Sequence, residues 1–204
     1  MASDTAIADT GETLVTLLIE ELGDSFGKRE VVLGSPEHVN ENDDIRLTLY
    51  LYDVSENAYL RNDRPPSTPG ARTTPGAPLQ LDLRYLLTAY PSTGVSDETA
   101  NTLDQHEVLG HAMQVLNDNP VVAGSDLVGS FDDDEALSVS IVPESMDTVV
   151  SVWNTFTERP YRPSVAYIVT PVVIESAHDT DAGRRVTDRE LTEHVPTSRG
   201  ADDG

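Results

Sequence analysis

The sequence predicts an α+β domain in which a mixed, mostly antiparallel sheet is flanked by two or three helices. Three observations predict it. Apolar and polar residues alternate at 45–53 and again at 79–90, which is the period of a strand. Apolar residues recur every three to four positions at 4–22 and 97–118, which is the period of a helix. Strands and helices are interspersed, but without the regular β-α-β-α order of a parallel sheet.

The first helix is expected over 4–22. Ile7, Leu14, Leu18 and Leu22 share a face, Ser3 or Asp4 caps the start, and Gly23 ends it. Val31-Val32-Leu33 reads as a short strand. In 45–53, Ile45, Leu47, Leu49 and Leu51 face one way and Arg46, Thr48, Tyr50 and Tyr52 the other, so a half-buried strand is expected. Residues 54–78 read as one long loop, because five of the 13 prolines fall between Pro65 and Pro78 and proline cannot donate to a sheet. Residues 79–90 give the strongest strand pattern and are expected to lie centrally. A second helix fits 97–118, with Leu103, Leu109, Ala112, Met113 and Leu116 on its buried side, stopped by Asn119-Pro120. A mixed loop at 121–131, a strand at 137–141, a short helix from Met146 to Phe156 and a strand at 164–175 follow. Pro171 places that last strand at an edge or a bulge. Residues 1–176 thus form one domain, and 177–204, with seven acids and four arginines, form an acidic, flexible tail.

Composition narrows function by exclusion. With no cysteine, disulfides and thiolate chemistry are out. No run of 18 apolar residues occurs, so no membrane helix is expected, and the N-terminus lacks a basic and apolar signal segment. Synthesis and assembly in the cytoplasm are expected. Thirteen basic residues against 36 acids give a formal charge of −23, which repels nucleic-acid phosphates. Twelve of the basic residues are arginine and one is Lys28. An acid-rich, lysine-poor surface suits very concentrated salt, where the Debye length falls to about 3 Å and self-repulsion is screened. A halophilic protein is expected.

No set of residues reads as catalytic. His106-Glu107-Val108-Leu109-Gly110-His111 resembles a zinc helix, but its histidines stand five apart instead of four. That turns them about 140° from one another around a helix, too far to share an ion. A metal-dependent hydrolase using His106, Glu107 and His111 is therefore the weaker alternative. Asp132 to Glu135 lacks the alternating ligands and central glycine of a calcium loop. There is no Gly-x-Ser-x-Gly elbow and no lysine-bearing phosphate loop. No metal, cofactor or enzymatic activity is expected.

Five segments carry a resemblance. They are Leu49-Tyr50-Leu51-Tyr52; Arg61-Asn62; the strand from Pro78 to Tyr90; His106 to Leu116 with Asn119-Pro120; and Trp153 followed by Tyr161-Arg162-Pro163-Ser164-Val165-Ala166-Tyr167. In this order they resemble the cap, or tail-terminator, proteins of extracellular contractile injection systems, over roughly residues 5–176. The resemblance implies a sheet flanked by helices and a structural role. Such proteins form a hexameric ring on the baseplate-distal end of the inner tube, stop tube and sheath polymerisation, and hold the last sheath layer. The implied partners are other copies of the chain, the inner tube protein and the sheath protein, in a particle released from the cell. A tail-completion protein of a contractile-tailed virus or provirus is the alternative of the same class. Candidate interface residues are Arg61, Asn62, Arg64, Arg72 and Arg84, because the arginine fork pairs bidentately with carboxylates.

Overall fold

The computed structural model of the chain describes residues 4–23, 30–40, 43–60, 73–93, 97–157 and 159–181. Among them are helices α1 (Ala6–Leu22), α2 (Glu98–Asp118) and α3 (Met146–Trp153). The strands are β1 (Val31–Leu33), β2 (Leu47–Glu56), β3 (Thr73–Pro75), β4 (Leu79–Ala89), β5 (Val121–Ala123), β6 (Ala136–Ile141), β7 (Ser164–Ile174) and β8 (Asp179–Asp181). Six of them form one sheet in the order β1-β2-β4-β7-β6-β5. The β1–β2 pair is parallel and the other neighbours are antiparallel. This is the predicted α+β fold, with β4 central between β2 and β7.

The main core lies between the sheet and α1 with α2. Leu14, Leu18 and Leu22 of α1, and Val108, Ala112 and Leu116 of α2, meet Leu47, Leu49, Leu83, Tyr85, Leu87 and Val169 of the sheet. Each such side chain removed from water contributes about 1.5–3 kcal/mol, which is why these stripes decide where the helices lie. Thr10 and Thr13 are buried on α1 without an energetic conflict. Their hydroxyls donate to the carbonyls of Ala6 and Asp9 one turn back, at 2.7 and 2.8 Å. Asp97 caps α2 by accepting from Ala100 N–H at 2.8 Å, and Ser145 caps α3 by accepting from Thr148 N–H at 3.2 Å.

The structure departs from the sequence expectations at five places, each for a local reason. The N-cap of α1 is Thr5 rather than Ser3 or Asp4, and its hydroxyl donates to the Asp9 carboxylate instead of capping the backbone. The start of β2 is buried on both faces, because α3 and the turn after it cover the side that carries Thr48 and Tyr50. Leu103 is 57% exposed, and the buried stripe of α2 runs through Gln105, Val108, Ala112 and Leu116. Gln105 tolerates burial because its amide donates to the Ala89 carbonyl at 2.7 Å. Residues 121–123, read as loop, form β5 against β6. Pro171 meets its expectation: it sits in a bulge, where β7 slips against β4 between Val169 and Val172 and β6 no longer pairs beyond Thr170.

The last departure joins two segments that the sequence reading kept apart. β3, inside the expected 54–78 loop, pairs with β8, inside the expected tail. Gly76 makes the approach feasible. Its N–H donates to the His178 carbonyl at 3.0 Å, and a side chain there would collide with Ser176 and His178.

Candidate docking surfaces

The second face of the sheet divides into two regions. Toward the start of β2, Trp153 and Phe156 pack over Tyr50 and Leu86, with ring centroids 5.3 Å apart for Tyr50–Phe156 and 5.4 Å for Trp153–Phe156. Farther along β4 the face turns polar. Arg84, predicted to leave the core side by strand alternation, does so and is 35% exposed. It pairs with Glu144 at 3.1 Å and with Asp53 at 3.7 Å, while the Tyr52 hydroxyl donates to Glu144 at 3.0 Å. Burial and the Glu144 carboxylate push the Tyr52 phenol up to about 12, so it remains a proton donor. Next to this group, Asp82 accepts from Asn57 at 2.8 Å and from Thr170 at 2.5 Å.

Of the other interface candidates, Arg61, Asn62, Arg64 and Arg72 lie outside the described residues. His106, Glu107 and His111 are all exposed on α2. Among the described residues no group of three or more ligating side chains comes together.

At the end of β4 is a cavity of 360 Å³ that the sequence reading did not foresee. Its wall comes from four stretches: residues between Pro36 and Asn40 with Asp43 and Ile45, Tyr90 to Thr93, Asn101 of α2, and Trp153 with Arg159, Pro160 and Arg162. Arg162 lies over the Tyr90 ring at 5.2 Å from its centroid, a cation–π contact. Arg159 donates to the Glu37 carbonyl at 2.9 Å. Burial raises the Tyr90 phenol, and the positive charge of both arginines opposes that rise. The sequence signal was Arg159-Pro160-Tyr161-Arg162-Pro163, two guanidiniums on a stiffened strap in a chain poor in cations.

Residues 9–188 match the family described as the Pvc16 N-terminal domain. The chain belongs to that family. The resemblance to the cap and terminator proteins holds, and the match continues past residue 176 to include β8. Two solved structures share the fold of this Pvc16-type domain. One is the sheath/tube terminator of the PVC extracellular contractile injection system in its extended state, with a TM-score of 0.58 and 20% identity over 98% of this chain and 67% of that one. The other is the tube-terminating cap of the anti-feeding prophage, with a TM-score of 0.55 and 19% identity over 91% of this chain and 59% of that one. The chain therefore spans about two thirds or less of those caps. No curated protein matches.

Proposed function

We propose that this chain is the cap of a contractile injection system. It docks as a hexameric ring on the baseplate-distal end of the inner tube, ends polymerisation of tube and sheath, and anchors the last sheath layer. One observation carries the reading: family membership over residues 9–188, on a fold that follows a sheath/tube terminator across 98% of the chain. The surfaces support it. The described surface offers both kinds of contact that protein partners use, exposed apolar side chains such as Leu79, Val121 and Ile141 and the arginine-centred group around Arg84. The reading assigns the chain no covalent chemistry.

Arg84 and the 61–72 stretch with Arg61, Asn62, Arg64 and Arg72 belong to the contact surface in this reading, together with the residues after 177. The β3–β8 ribbon supports treating the two stretches as one unit, because it holds their bases together. Electron microscopy of particles made with and without the chain tests the proposal. Without it, tubes of irregular length and sheaths that detach at the distal end are expected. Particles of normal length with intact distal ends in its absence would overturn the cap role.

A further inference from the structure

We propose that the cavity at the end of β4 is a socket for carboxylates of a second copy of this chain. The exposed turn Asp132 to Glu135 supplies them, so that copies join head to tail. The inference rests on the cap reading for the ring that such contacts close.

Four arginines fall among the described residues, and they divide into two kinds. Arg46 pairs with Asp104 at 2.8 Å and Arg84 with Glu144 at 3.1 Å. Arg159 and Arg162, both on the cavity wall, have no carboxylate partner among the described residues. That is unexpected in a chain with 36 acidic residues. Both guanidiniums are partly buried and positioned, Arg159 by the Glu37 carbonyl and Arg162 by the Tyr90 ring. Trp153, 5% exposed, lends the wall an aromatic ring. Asp43 also lines the cavity, but its Oδ2 already accepts from the backbone and side chain of Asn40, at 2.8 and 3.2 Å. Preplaced guanidiniums beside aromatic rings recognise carboxylates, with two parallel bonds available from each fork.

The occupant follows from charge and topology. In the acidic turn, Glu135 accepts from the Asp132 N–H at 2.6 Å and so closes the loop. Asp133 and Asp134 are exposed and make no hydrogen bond or ion pair among the described residues. The turn leads into β6, whose Ser138 pairs with Thr170 near the far end of β7. The cavity gathers where β7 begins and β4 ends, at the Thr88–Ser164 pairing. Socket and turn therefore lie at opposite ends of one sheet and cannot meet within a chain. Complementary patches on different surfaces of identical copies define a heterologous contact, the kind that closes into a ring. A carboxylate inside the cavity is screened less than a surface pair, so the contact survives concentrated salt.

Sedimentation of the full chain in molar salt reads the assembly. Reversing the turn (Asp133→Arg with Asp134→Arg) or the socket (Arg159→Glu with Arg162→Glu) should raise the concentration needed for assembly by about tenfold or more. Combining all four changes should recover most of that loss. The turn is exposed, so its variant keeps the fold and decides the matter alone if the socket variant does not fold. A turn variant that assembles like the wild type, four combined changes that fold without recovery, or a wild type that stays monomeric overturns the inference. So does a socket variant that keeps its oligomer and loses tube or sheath binding, which would assign the cavity to another protein. The cap reading fails separately, when wild-type chain is missing from particle ends.

Discussion

Asp104 holds the start of β2 and the end of β4 against α2. It accepts from Arg46 at 2.8 Å and from the Ser92 N–H at 2.7 Å, and Arg46 also donates to the Tyr90 carbonyl at 3.2 Å. Burial works to raise the Asp104 carboxyl, but the Ser92 bond and the Arg46 charge outweigh it and hold it below the ordinary 3.8. The folded state thus binds that proton more weakly than the unfolded chain does. The stabilisation is present in full above 3.8 and is lost as pH falls through the lowered value. Asp9, which accepts from Thr5 and from both the N–H and hydroxyl of Ser130, behaves in the same direction. Asp104→Asn should cost about 1 kcal/mol at neutral pH, since the pair is partly solvated. The gap between variant and wild type should close below pH 3.8. Denaturant titrations at a series of pH values check this, and a gap unchanged down to strong acid would remove the carboxylate as its source.

At the scale of elements, α3 is the member with a core of its own. Its eight residues are too few to be stable alone, so Trp153 and the following Phe156 must fix it to Tyr50 and Leu86. Phe156→Ala should therefore destabilise by about 3 kcal/mol. Amide exchange should accelerate in α3 and the 154–157 turn well before β4 or β7, and uniform acceleration would contradict a separate core. The same element shows why part of the fold was legible in the sequence and part was not. The α1 stripe and the β4 alternation are strong periodic signals that tertiary contacts only reinforce, and they also placed Arg84 on the polar face. The exposure of Leu103 was not legible, because α2 carries apolar residues on more than one side and only its contacts with α1, β4 and β6 select a face. β5 and β8 are three residues each, too short to show a period, and exist through their partners β6 and β3. The cavity was hidden for a similar reason. Its wall joins residues scattered from Pro36 to Arg162, so Arg159 and Arg162 acquire their setting only when β2, β4 and β7 align their ends.

For the whole molecule the deciding quantity is charge. One chain carries −23, so a ring of six carries six times that, −138. At 0.1 M salt the Debye length is about 10 Å, so the repulsion of clustered carboxylates such as those at 132–135 opposes both compaction and assembly. In molar salt it falls to about 3 Å, and each carboxylate is felt only by its immediate neighbours. Apolar burial between the sheet and α1 with α2 does not weaken on that scale, and salts excluded from the surface strengthen it. The two contributions therefore respond to salt in the same favourable direction. We expect a folded, assembled chain at molar salt that dissociates and then loses structure on dilution toward 0.1 M. Sedimentation and far-ultraviolet circular dichroism across one salt series separate the two steps. Dissociation should come first, because the closest approach of like charges is between copies while the core within each copy stays buried. An oligomer and a spectrum unchanged over the whole range would show that local ion pairs, rather than screening, hold this acidic surface together.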